Sequence, residues 1–445
     1  MQDTKVPAQQ GFSSSSPHPN PPPSLYRHTF FSSQGAAARK ALIPGLVLPL
    51  VYNAILLWAC ISLFFGSLVQ NNDVSKISVS AINLDDGLFG EGMMSGIREV
   101  LDSPGRHLQW SFSYEKTDPV ASDTWGRNLV LDEAVWAVLQ INANASLNLQ
   151  QALATGDAGY DPSSAITLYF ASARNQVTTL SATVPAVMSL VNPILARLAA
   201  VSTAEFLKKM ASDKTALLTS LQCAQCLASP FAVRQIDLIP FSSPVAFGTL
   251  NTGLIFLLTF TFNIFTVLRA SAAIHGSVFT LRTQLYMRSI SSLSAYLFLS
   301  LMYTLGILAF GIPLTGHYTT PGSGFMALWM LNWCTMGACG LIMEAVFTVM
   351  GMPWAPFGLN IWLIANASAS FTSFELMVGF YKYGYAMPFY HCIQATKSIV
   401  FGTRTHFGLN YGVLVSWMVL GWCGMCLSTA WRITMGKRTG IHRVP

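Results

Sequence analysis

Residues 289–343 read SISSLSAYLFLSLMYTLGILAFGIPLTGHYTTPGSGFMALWMLNWCTMGACGLIM, without a single Asp, Glu, Lys or Arg. These 55 residues are too many for one helix across a hydrocarbon core of ~30 Å, which takes about 20 apolar residues. GHYTTPGSG, residues 316–324, interrupts the run with glycine and proline. The stretch therefore predicts two membrane helices, near 290–314 and 325–350, joined by a turn. Composition agrees. The chain of 445 residues is 52% hydrophobic and only 10% charged, whereas soluble domains carry about 25% charge.

Four more spans follow on either side. GTLNTGLIFLLTFTFNIFTVL, residues 248–268, ends at Arg269. It is followed by a basic loop with His275, Arg282 and Arg288. MPWAPFG, residues 352–358, is a tight proline turn into a span over 357–380, and 409–431 forms the last. Toward the N-terminus no charge occurs between Lys40 and Asp73, so 41–69 is the first span, with Pro44 and Pro49 in its first turns, where proline is tolerated. A signal peptide is discounted, because a polar tail precedes the run and FFGSLVQNN offers no A-x-A cleavage site.

The expected architecture is an α-helical polytopic membrane protein of six transmembrane helices. Arg39 and Lys40 before the first span, and Arg432, Lys437, Arg438 and Arg443 after the last, put both termini in the cytosol. Residues 1–40, with SSSSPHPNPPPS, are expected to be a disordered cytosolic tail, and 432–445 a basic one.

Charge places the remaining segment. Of 19 acidic residues, 16 lie between Asp73 and Asp237, and from Gly248 onward only Glu344 and Glu375 remain. Residues 70–247 are accordingly expected as an α+β exoplasmic domain inserted between helices 1 and 2. ISVSAINLDD and LQWSFSYE read as strands, EGMMSGIREVLD as a helix, and VWAVLQINANAS as a third strand with a helix after it. From Ser164 to about Gln225 the pattern reads as mainly helical.

Catalytic signals are missing from the sequence. It has no G-x-x-x-x-G-K-[ST], G-x-S-x-G or H-E-x-x-H, and no paired Cys/His metal spacing. We expect no enzyme, no catalytic or metal-binding residues and no cofactor. Nucleic-acid binding is excluded, since no basic patch accompanies a soluble fold. Cys223 and Cys226 are a candidate disulfide or two reduced thiols, and Asn144-Ala145-Ser146 is a candidate glycosylation sequon.

Glu344 and Glu375 stand out, because a carboxylate in hydrocarbon costs several kcal/mol unless paired or wetted. Near Glu375 comes YKYGYAMPFYH, residues 381–391. Its rings suit a membrane–water interface, and Gly384 and Pro388 break a straight helix. Lys382, Lys397 and Arg404 lie on the outer side against the positive-inside rule. Residues 381–404 are therefore expected to form an interfacial or re-entrant segment over the outer mouth. Its charges would lie at headgroup phosphates, Lys382 would neutralise Glu375, and Tyr383 and Tyr385 would anchor it.

ILAFGIPLTGHY, WMLNWCTMGACGLIME, FYKYGYAMPFYHCIQATKSIVFGTR, FGLNYGVL, VWAVLQINANAS and YDPSSAITLYFASARN resemble the fungal nitrosoguanidine-resistance membrane protein family (DUF3533). The resemblance runs over roughly 41–432 and supplies no catalytic motif. It implies an architecture similar to ABC-2-type export permeases and phage-infection proteins, and a role in export of, or tolerance to, small amphipathic toxic molecules. Such genes also occur near fungal secondary-metabolite clusters. The alternatives are a non-transporting plasma-membrane protein that affects lipid distribution, and a receptor or scaffold acting through the outer domain. Membrane lipids are the expected partners. A separate ATPase subunit docking on the Arg269–Arg288 loop and a homo-oligomer are further candidates.

Overall fold

The computed structural model describes residues 33, 36–68, 74–113, 119–210, 214–275 and 279–439. Most of the tail expected over 1–40 lies outside the described residues. Contacts divide the chain into two units, Met1–Leu57 and Trp58–Pro445. The first holds the N-terminal part of α1 (Ala36–Leu68).

The second unit begins with a mixed sheet. β1 (Ser78–Asn83), β2 (Gln109–Ser113), β3 (Ala137–Ile141), β4 (Ile166–Phe170) and β5 (Val233–Asp237) lie in the order β2-β1-β3-β4-β5. All neighbours are parallel except β3 and β4. Every residue of β3 and β4 is buried, so these strands are covered on both faces, with Gln140 and Thr167 as their polar members. On one face Ala81, Leu139 and Leu168 meet α2 (Leu88–Leu101), α4 (Ala145–Thr155) and α5 (Val184–Met210). On the other, Ile82, Val138 and Tyr169 meet Trp125 and Leu129 of α3 (Pro119–Leu131). In α2 the buried side chains Phe89, Met93 and Ile97 recur every four residues and form the stripe that faces the sheet.

Among the described residues, six helices are long and apolar enough to cross a membrane: Val47–Leu68, Gln176–Lys209, Thr252–Ser271, Leu281–Ala309, Pro321–Met350 and Phe407–Met435. Large apolar side chains such as Phe256, Phe298, Met302 and Leu427 stand exposed on these helices, as lipid-facing surfaces require. The chain is an integral membrane protein.

The set of six differs from the sequence expectation in two places. Gln176–Lys209 passes by length and composition, yet Val187, Val191, Ile194 and Leu195 of α5 belong to the core of the sheet. The expected span 357–380 is an α-helix only over Ala355–Ser368 (α9), about 21 Å at 1.5 Å per residue. It stops in NASASFTS, residues 366–373, where side chains capture helix carbonyls: Asn366 Nδ2 donates to Trp362 O and Ser370 Oγ to Asn366 O. A 3-10 helix over Gly379–Ala386 and α10 (Pro388–Phe401) follow. Within the sheet domain, β4, β5 and α3 lie in segments not read as strand or helix; β4 is buried on both faces and so carries no period-two signal.

The other membrane helices are α6 (Thr252–His275), α7 (Leu281–Ala309), α8 (Pro321–Met350) and α11 (Phe407–Thr439). Trp333 Nε1 donates to Leu293 O and Trp329 Nε1 to Leu297 O, so α7 and α8 are antiparallel. In contrast, α8 and α11 are parallel. Tyr411 Oη donates to Ala327 O, Met418 packs on Gly337, and Gly421 on Leu341. The chain must therefore return along the length of α8 between Met350 and Phe407. The return starts with α9, whose Gly358 packs on Phe347 of α8.

Candidate functional site: an ion pair buried among three helices

Thr280 caps α7 by accepting from Thr283 N, so the helix starts at Leu281 and Arg288 lies two turns inside it. Its guanidinium reaches α8. Nε and Nη2 donate to Oε1 of Glu344 at 3.0 and 2.9 Å. Nη2 also donates to Thr348 Oγ1 at 2.9 Å, and Nη1 to Thr429 Oγ1 of α11 at 2.7 Å. The second carboxylate oxygen of Glu344 accepts from Ser292, one turn after Arg288, at 3.1 Å.

The two threonines are oriented by their own helices. Thr348 donates to Glu344 O and Thr429 to Met425 O, which turns their lone pairs toward the arginine. The Arg288 and Glu344 side chains are only 10% and 4% exposed. A buried ion pair holds only when its remaining donors and acceptors are also met, and here three helices meet them. Arg269, at the end of α6, is buried nearby, and Arg288, Glu344 and Arg432 all act on it electrostatically.

Glu344 is thus the sequence candidate that the structure builds into a network. The sequence left its partner Arg288 as a loop residue. The Thr280 cap is the signal that would have moved it into the helix.

The outer candidates form a second group, around the sheet domain. Lys397 Nζ donates to Arg174 O at 2.7 Å, and Arg404 Nη1 to Asp132 O at 2.6 Å. Arg174 donates to Val135 O, stacks over Trp136 at 3.9 Å, and lies 4.0 Å from Glu133. Burial lowers the pKa of Arg174, and Glu133 and then Glu375 oppose the shift. Lys397 and Arg404 therefore meet carbonyls of the sheet domain, which corrects the expectation of headgroup phosphates for these two.

Glu375 lines a polar cavity of about 90 Å³ with Arg174, Glu133 and Tyr390. Among the described residues no ion pair joins it to Lys382, which is exposed. This corrects the expected Lys382–Glu375 pair. Tyr383 Oη donates to Ala365 O, and the ring of Tyr385 packs 4.2 Å from Phe374. α10 is buried along most of its length, with His391 between Asn410 and Tyr385 O.

Asn144 is exposed with a positive φ of 60° and leads into α4, while Ser146 bonds Asp85 through Oγ at 2.6 Å. Cys223 and Cys226 are joined by a disulfide, with Cα atoms 5.3 Å apart. No group of three His, Cys, Asp or Glu side chains that could hold a metal occurs among the described residues.

Residues 50–423 match the family described as "Protein of unknown function (DUF3533)". The chain is 25% identical over 301 residues to an uncharacterized endoplasmic reticulum membrane protein of Saccharomyces cerevisiae. That match covers 66% of this chain and 58% of the yeast protein. No solved structure matches the chain.

Proposed function

The chain belongs to the DUF3533 family, and from that premise we propose that it is a permease-like membrane protein that exports, or confers tolerance to, small amphipathic toxic molecules. The observation that carries this reading is the Arg288–Glu344 pair, closed by Thr348 and Thr429 and buried among three helices. Ionisable groups held in a bilayer are costly and mark pathways or couplings by default.

In this reading α1, α6, α7, α8, α9 and α11 cross the membrane, α5 is a helix of the sheet domain, and both termini are cytosolic. The parallel course of α8 and α11 supports the crossing by α9. The sheet domain then lies outside, over α10. The plasma membrane is the proposed site, while the yeast relative's description names the endoplasmic reticulum. Imaging a tagged chain decides between the two.

Accumulation of a labelled toxicant tests the function. Cells lacking the protein should retain several times more than cells carrying it, and Glu344→Gln, compared at equal protein abundance, should resemble the deletion. Equal accumulation in all three sinks the reading. Equal accumulation with altered outer-leaflet phosphatidylserine would put lipid distribution in its place.

A further inference from the structure

A slot of about 260 Å³ lies between the sheet domain and α10, close to the ~300 Å³ lower end of small-molecule sites. Exposed Leu68 and Phe247 stand at its rim, and Ile393 and Leu250 are buried in its wall. Its buried polar groups are Asn175, Ser370, Thr372 and Lys397, of which Ser370 donates to Asn366 O. Lys397 is 6% exposed, and Arg174 O is its one acceptor among the described residues. An ammonium carries three donors. Thr372 is 6% exposed, and its hydroxyl bonds nothing among the described residues. Lys397 and Thr372 thus bring spare hydrogen-bond donors to one end of the slot, where an anionic group is the acceptor that gains most from them.

We propose that the slot binds one anionic amphiphile, its head on Lys397 and Thr372 and its alkyl chain leading past Ile393 to Leu68 and Phe247. The charges around the slot favour this sign: Glu133 is already engaged by Arg174, and Lys397 has no carboxylate partner. Burial pushes the Lys397 amine down to about 8, with Glu133 opposing the shift. A bound carboxylate or phosphate would hold the amine charged. Leu68 and Phe247 are exposed at the rim, so the chain of the ligand need not be enclosed. The site stands whether or not the protein transports.

Full-length protein in nanodiscs, titrated with radiolabelled laurate and with dodecanol, tests the proposal. Laurate should bind saturably at one per chain and dodecanol about tenfold more weakly, as loss of a charge-assisted hydrogen bond implies. Lys397→Met should weaken laurate about tenfold and leave dodecanol unchanged. Thr372→Val, which keeps the side-chain shape and the Arg174 contact, should weaken laurate severalfold at an unaltered melting temperature. Laurate binding that does not saturate, equals that of dodecanol, or survives both substitutions overturns the proposal. Mass spectrometry of the purified protein separates the two sources of such a head group. A retained free fatty acid or a retained anionic phospholipid, displaced by laurate, identifies the native occupant.

Discussion

Arg288 and Glu344 show why one residue in this bundle cannot be changed alone. Removing one partner of a buried ion pair leaves an uncompensated charge, at about 3–5 kcal/mol, whereas replacing both by apolar groups is often near neutral. Glu344→Gln should therefore lower the melting temperature of the detergent-purified protein sharply, and Glu344→Met with Arg288→Met should recover most of the loss. If the double variant melts no higher than the single one, the ion pair is not the source of the cost. Lys382 predicts the opposite behaviour. It is exposed and makes no ion pair with Glu375, so Lys382→Glu should change stability by less than about 0.5 kcal/mol, within the range of ordinary surface substitutions. A large loss, rescued by Glu375→Lys, would restore the pairing expected from the sequence.

At the scale of elements, α8 and α11 approach closely because glycines sit at their contact, Gly337 under Met418 and Gly421 against Leu341 and Ile342. A Cβ built on Gly421 would lie 2.8 Å from Ile342 N and 2.8 Å from Leu341 Cβ. Neither atom can move without shifting α8, and small residues are what let membrane helices pack closely. Gly421→Ala should cost about 1–3 kcal/mol, the usual range for overpacking, measured as a lower melting temperature. Gly412 faces nothing within 4 Å, and alanine there should be neutral. The sheet domain is joined to α10 by Lys397, which donates to Arg174 O, and to the segment after α10 by Arg404, which donates to Asp132 O. Arg174→Ala removes the Trp136 stack and the Val135 bond, and should make the domain more sensitive to added protease while leaving the bundle intact. Equal digestion rates would mean that the apolar contacts of α10 hold the domain by themselves.

For the whole molecule, the parallel pair α8 and α11 requires one return crossing, and topology mapping can find it. Cysteines introduced at Met352 and at Ser373 should label from opposite faces of the membrane. Labelling of both from one face would remove α9 as a crossing. A glycan acceptor near Asp157 should be modified if the sheet domain lies outside, and one near the N-terminus should not. The reverse pattern would invert the orientation.

The sequence by itself determined the solvent. A 55-residue stretch without charge cannot lie in water, and its glycine–proline break divides it into two helices, as α7 and α8 show. It also determined that a mixed α and β segment stands between α1 and α6, since EGMMSGIREVLD carries its own periodicity and ISVSAIN and AVWAVLQI their own strand propensity. Glu344 was legible too, because a carboxylate in an apolar run is conspicuous without any partner in view. The partners were not legible. Arg288 and Glu344 are 56 residues apart, and Thr429 is 141 from Arg288. Only the packing of α7, α8 and α11 brings them together. The end of α9 was decided in the same way, where buried Asn366 and Ser370 take up carbonyls that an apolar sequence would have left to the helix. Tertiary structure also gave Lys397 and Arg404 their partners, because a positive charge near a membrane binds whichever acceptor comes closest, and here the sheet domain presents its carbonyls first.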